Sequence, residues 1–242
     1  MNTGTYVRFE ILRTFRNTRF FIFSLIFPLV VFFTVAGANR HATIEGISFP
    51  LYYMVGMASW AAMSSVMAGG ARISLERSVG WTRQMRITPL KISTYFGAKV
   101  LSGYLMAIVG LALLFGAGTS LGVHLSGVHW LSTVGLLLVG LIPFVVMGIL
   151  LGHLLSPDSM GPGLGGLVAV MALLGGAWGP LAKSGGLHDI VENIPSYWLV
   201  QAGHVALGGG VWPVRAWIVL AAWTLVLLRL TVRVYHRDTA RV

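Results

Sequence analysis

Long uncharged apolar runs alternate with short basic clusters along this chain, and that alternation confines it to a membrane. Arg8, Arg13, Arg16 and Arg19 crowd the first segment, a second basic cluster extends from Arg72 to Lys99, and Arg229, Arg233, Arg237 and Arg241 close the chain. Hydrophobic residues make up 56% and charged residues 10%, so the formal net charge of +10 belongs to the rims of a membrane protein rather than to a soluble basic domain. A nucleic-acid groove would need base-reading polar groups and stacking aromatics on a soluble fold, and no stretch combines them. There is no cysteine, which excludes disulfides and thiolate metal sites.

The runs predict an all-α polytopic protein, a single transmembrane domain over residues 1–242, with six spans. They fall near 20–38, 51–73, 95–118, 130–155, 163–181 and 214–230, each compared with a hydrocarbon core of about 30 Å. Lys99 sits one turn inside the third span and is expected to snorkel toward the headgroups. Residues 156–162, with Pro157, Gly161 and Pro162, read as a short loop between the fourth and fifth spans. An even number of spans puts both termini on one side, and the Lys and Arg excess makes that side cytoplasmic.

Ahead of the first span, Phe9, Leu12 and Phe15 form an apolar stripe at helical spacing beside interleaved arginines. That pattern predicts an interfacial elbow helix lying in the headgroup plane. The connection between the second and third spans, ARISLERSVGWTRQMRITPLKISTYFGAK, is the most charged internal segment. It predicts a short helix broken at Gly80 and stopped near Thr88 and Pro89, with Trp81 and Met85 four apart on an apolar ridge that fits a groove on a soluble partner or settles on lipid.

The basic elbow, the six spans and above all ERSVGWTRQMRITPL resemble the permease subunits of the bacterial ABC-2 type export family, which includes daunorubicin-exporter-like membrane proteins. Glu76, Arg77, Gly80, Gln84, Met85, Thr88, Pro89 and Leu90 occupy matching places, whereas Trp81 replaces a common threonine and Arg83 a frequent acid. The resemblance implies that this segment, with Arg72, is a coupling helix contacting a separate ATP-hydrolysing subunit. VENIPSYWLV, at 191–200, is similar to the short external re-entrant segment of such permeases. It also implies two copies of the ATPase, a second permease subunit identical or similar to this one, and a place in the bacterial cell membrane.

No Gly-x-x-x-x-Gly-Lys-Ser/Thr loop occurs, so no cofactor is expected in this chain, and ATP and magnesium are expected on the partner. The seven histidines are too scattered to suggest a metal site. Intramembrane acids and bases are missing from the middle of every span, which argues against a proton relay. Small residues on the second and fifth spans permit close helix packing. By resemblance those spans would line a central path, where Met54, Met57, Met63, Met67, Met160 and Met171, with Trp60 and Phe144, give a soft lining for an amphipathic cargo. The expected function is the membrane subunit of an ATP-driven exporter of a hydrophobic or amphipathic compound such as a drug, antibiotic or lipid-like molecule. A membrane anchor for a soluble partner and an ion-driven secondary transporter are the alternatives.

Overall fold

The computed structural model describes residues 3–44, 46–81, 84, 88, 90–181, 184–207 and 212–240. Helix α1 (Thr3–Phe15) is followed by α2 (Thr18–Phe21), which passes through a π turn at Ile22–Ile26 into α3 (Phe27–Ala38). A small antiparallel hairpin, β1 (Thr43–Ile44) and β2 (Ile47–Ser48), then leads into α4 (Phe49–Met67) and α5 (Gly69–Ser78). The remaining helices are α6 (Ile92–Ser120), α7 (Gly127–Gly140), α8 (Ile142–Leu154), α9 (Pro157–Gly175), α10 (Gly186–Val191), α11 (Pro195–Leu207) and α12 (Val214–Ala240). The fold is all-α, with the hairpin as its small exception among the described residues.

Four segments are long and apolar enough to cross a bilayer: Ile92–Ser120, Gly127–Leu154, Pro157–Gly175 and Val214–Arg237. Ser24–Ala38 is apolar but shorter. Helix α4 sits at the centre, packed on α3, α6, α8, α9 and α11. It has no polar face, and Met54, Met57, Met63 and Met67 are shielded alongside Ala58, Ala61 and Ala62, as expected for a helix surrounded by others.

Two boundaries differ from the sequence expectation. The second apolar run breaks at Ala68, so Arg72 lies on the separate helix α5 rather than at the end of a long span. The predicted loop at 156–162 is instead the start of α9. Ser156 caps it by accepting from the Ser159 amide at 3.4 Å, and Pro157 occupies the first helical turn, where its missing N–H costs nothing. The two ends of the chain meet at one end of the bundle: the Tyr6 ring lies 6.4 Å from Tyr95, and the Tyr235 ring lies 5.8 Å from the adjacent Phe96.

The segment after α9 is more than a surface loop. Helix α11 packs against α7, α9, α4 and α12, burying Trp198, Leu199, Val200 and Ala202. Its approach to α9 is backbone on backbone, since a Cβ on Gly175 would fall 2.7 Å from the Ser196 carbonyl oxygen.

Candidate functional site

Three helices each contribute a pair of polar residues four positions apart, a spacing that places both on one helical face. Helix α1 supplies Tyr6 and Glu10, and Thr14 one turn further; α5 supplies Arg72 and Glu76; α6 supplies Tyr95 and Lys99. The underside of α1 is therefore polar and buried, while its predicted apolar stripe, Phe9, Leu12 and Phe15, is exposed. An amphipathic helix at a bilayer surface keeps that outward stripe for lipid.

Lys99 is the centre of the cluster. Its ammonium lies 3.1 Å from Glu10 Oε1 and 2.9 Å from Glu76 Oε2, and 4.8 Å from the centroid of the Tyr95 ring. Its side chain is 1% exposed, so it does not reach the headgroups as the sequence suggested. The buried carboxylates on α1 and α5 offer it a better counter-charge than partial exposure at the rim. Tyr95 donates its hydroxyl to Glu76 Oε2 at 2.6 Å, and Arg13 reaches Glu76 Oε1 at 2.9 Å from the half-exposed side. Arg72 lies 3.3 Å from Glu10 Oε1, hydrogen-bonds Thr14 Oγ1 and approaches Ser102 Oγ at 3.4 Å. Burial, reinforced by Glu10 and then Glu76, pushes the Tyr6 phenol above its ordinary range, so it remains protonated.

Two carboxylates facing three cations in a dry pocket tie α1, α5 and α6 into one mechanical unit. Among the described residues no group of three His, Cys, Asp or Glu is placed to hold a metal.

The residues expected in the coupling segment divide into two sets. Glu76 and Arg72 make their contacts inside the chain, and Arg77 Nη1 donates to the carbonyls of Gly152 at 3.0 Å and His153 at 2.7 Å, satisfying the C-terminal end of α8. Gly80, at φ 72, ends the α5 turn in a left-handed conformation, while Trp81, Gln84 and Thr88 are exposed. Gln84 N–H donates to the Gly80 carbonyl at 3.3 Å. Met85 and Pro89 lie outside the described residues. Replacing Arg77 with methionine is expected to cost about 2 kcal/mol, because charge-assisted bonds to α8 are lost. Unfolding in detergent measures it, and Arg77→Lys should recover part of the loss.

Of the residues expected to line a path, Met57, Met63, Met67 and Phe144 have at most 1% exposure and pack in the interior of the subunit. Met54 and Met160 are likewise buried. Trp60 is half-buried against Phe27 and Trp178, with ring centroids 5.5 Å away in each case, and Met171 is half-buried on α9.

Sequence reading missed Glu10, Tyr6, Thr14 and Tyr95. The signal was present as a lone acid in a basic segment, flanked at four-residue spacing by groups able to hydrogen-bond.

Several membrane-length apolar helices around a buried α4, with an ion-paired elbow, define a multi-pass membrane protein. The chain belongs to the ABC-2 family transporter proteins, whose family model matches residues 46–233. It is 24% identical over 237 residues to the protein named "Putative transport permease YvfS" of Bacillus subtilis (strain 168), with 96% of each chain covered. The family is one of transmembrane transport subunits, so this chain is a membrane transport permease subunit.

Proposed function

We propose that the chain is the permease half of an ATP-driven exporter of a hydrophobic or amphipathic compound, working in the bacterial cell membrane with both termini cytoplasmic. It pairs with a second permease subunit, identical or similar, and with two ABC ATPase subunits that carry ATP and magnesium. The observation that carries this reading is the exposed pair Trp81 and Gln84, joined through α5 to the ion cluster that grips α1 and α6. A push there moves the elbow and a membrane-length helix together, because separating Glu76 from Lys99 breaks a buried ion pair. The basic terminal clusters support a cytoplasmic placement of this end. The path expected from the resemblance, Met57, Trp60, Met63, Met67, Phe144 and Met171, is part of this reading, with Trp60 and Met171 its half-buried members.

The test uses sealed inverted vesicles containing the chain and its candidate ATPase, with amphipathic fluorescent dyes as cargo. ATP-dependent dye uptake that survives ionophores is expected. Trp81→Ala should weaken capture of the ATPase about tenfold, as loss of a buried aromatic anchor does at interfaces, and lower uptake without changing the unfolding midpoint. Uptake that collapses with the ion gradient at constant ATP would establish a secondary transporter. Capture of the ATPase with no uptake of any dye would return the anchor reading.

A further inference from the structure

At the end of the bundle opposite the ion cluster, the chain forms a partly open cavity of about 370 Å³ between the start of α4, the end of α9, and helices α10 and α11. That volume lies in the range of small-molecule sites, roughly 300–1,000 Å³. We propose that this cavity binds a neutral aromatic ring compound, one or two rings in size, bearing hydroxyl or carbonyl substituents.

Its walls are aromatic. Tyr52 and His204 stack with ring centroids 4.5 Å apart and planes 16° from parallel, and His188 meets Tyr197 edge to face at 5.9 Å. All four residues line the cavity, together with Val200 and Gln201. Aromatic faces and edges favour a further ring in offset or edge-on contact.

Charge decides against an ionic ligand. No Asp, Glu, Lys or Arg is among the described lining residues. Glu192, the nearby acid, is already held by His188 Nε2 at 3.1 Å and by Arg215. A buried ion here would lack a fixed counter-charge. Gln201 offers both a donor and an acceptor, which suits one or two polar substituents.

The site is built rather than collapsed. Gly176 ends α9 at φ 76, and the close approach of Gly175 to Ser196 fixes α9 against α11 beneath it. Trp198 Nε1 donates to the Glu192 carbonyl at 2.7 Å, and Trp223 Nε1 donates to the Asn193 carbonyl at 2.8 Å, pinning the turn between α10 and α11. All of these residues belong to one chain, so the inference stands independently of ATP coupling.

The test is titration of 4-methylumbelliferone, uncharged in mildly acidic buffer, against the full chain in lipid nanodiscs, with empty nanodiscs subtracted for lipid partitioning. Saturable binding is expected, weakened about tenfold by Gln201→Leu, which keeps the volume but removes the carboxamide, and abolished by the cavity-filling Gln201→Trp. Unchanged unfolding midpoints confirm that both variants fold, and a destabilised Gln201→Trp leaves Gln201→Leu to decide. A signal equal to that of empty discs, or binding retained in the folded variants, overturns the proposal. Saturable binding of methyl glucoside with none of the aromatic probe also overturns it.

Discussion

Lys99→Met is expected to destabilise the protein by about 3–5 kcal/mol, the usual cost of stranding buried charges, seen as a fall of roughly 10 °C in the unfolding midpoint in detergent. Methionine keeps the length and apolar bulk of the stem, so the loss isolates the ammonium. Without it, Glu10 on α1 and Glu76 on α5 confront one another in a pocket where their side chains are 2% and 4% exposed. Arg72 and Arg13 still reach one carboxylate each, but Lys99 alone bridges the two. Neutralising both acids as well would strand Arg72 and Arg13, so Glu10→Gln, Glu76→Gln and Lys99→Met together should be no more stable than Lys99→Met alone. A single variant as stable as wild type would show that Lys99 reaches the headgroups and that the cluster does not hold the elbow.

Gly148→Ala should be comparably damaging, at about 3 kcal/mol, although it adds a single methyl group. A Cβ there would sit 2.7 Å from both the Cα and the carbonyl oxygen of Met67, while one on Gly70 would fall 1.9 Å from the Gly148 carbonyl oxygen. Gly152 repeats the contact one turn on, with its added Cβ 2.5 Å from the Gly70 carbonyl oxygen. Backbone cannot yield as a side-chain tip can, so α8 would be levered away from the junction of α4 and α5. Because α5 carries Arg72 and Glu76, the same substitution should disturb the ion cluster and, with the ATPase present, reduce coupled transport. Gly116→Ala is the control: the position is helical, exposed and open, and alanine there should be neutral or stabilise by about 0.5–1 kcal/mol. Equal losses at Gly148 and Gly116 would show that helix propensity, not the crossing, sets the cost.

These two sites mark where sequence reading stopped. Small residues on the second apolar run were legible as a close-approach surface, but not which helix approached. Gly70 is separated from Gly148 and Gly152 by the whole of α6 and α7, and their meeting depends on the order in which helices pack. The methionines show the same limit. Hydropathy places Met57, Met63 and Met67 on an apolar helix, yet a helix apolar on every side carries no mark distinguishing its lumen, lipid and core faces. The structure assigns them to the core because other helices surround α4. In the polar sites, Glu76 was recognisable from its surrounding motif, whereas Glu10 was hidden among arginines that described only a basic helix face.

By itself, the amino-acid order determined the solvent and the class. Apolar runs of membrane length must be buried in lipid or protein, charged rims must stay near water, and the segment around Glu76 to Leu90 points to the ABC-2 family. Tertiary structure decided which charges are rim charges and which are structural. Lys99 has the sequence position of a snorkelling lysine, but a long flexible cation takes the lowest-energy counter-charge within reach. That counter-charge exists only after α1 and α5 fold against α6 and bring Glu10 and Glu76 to within 3.1 Å and 2.9 Å of its ammonium.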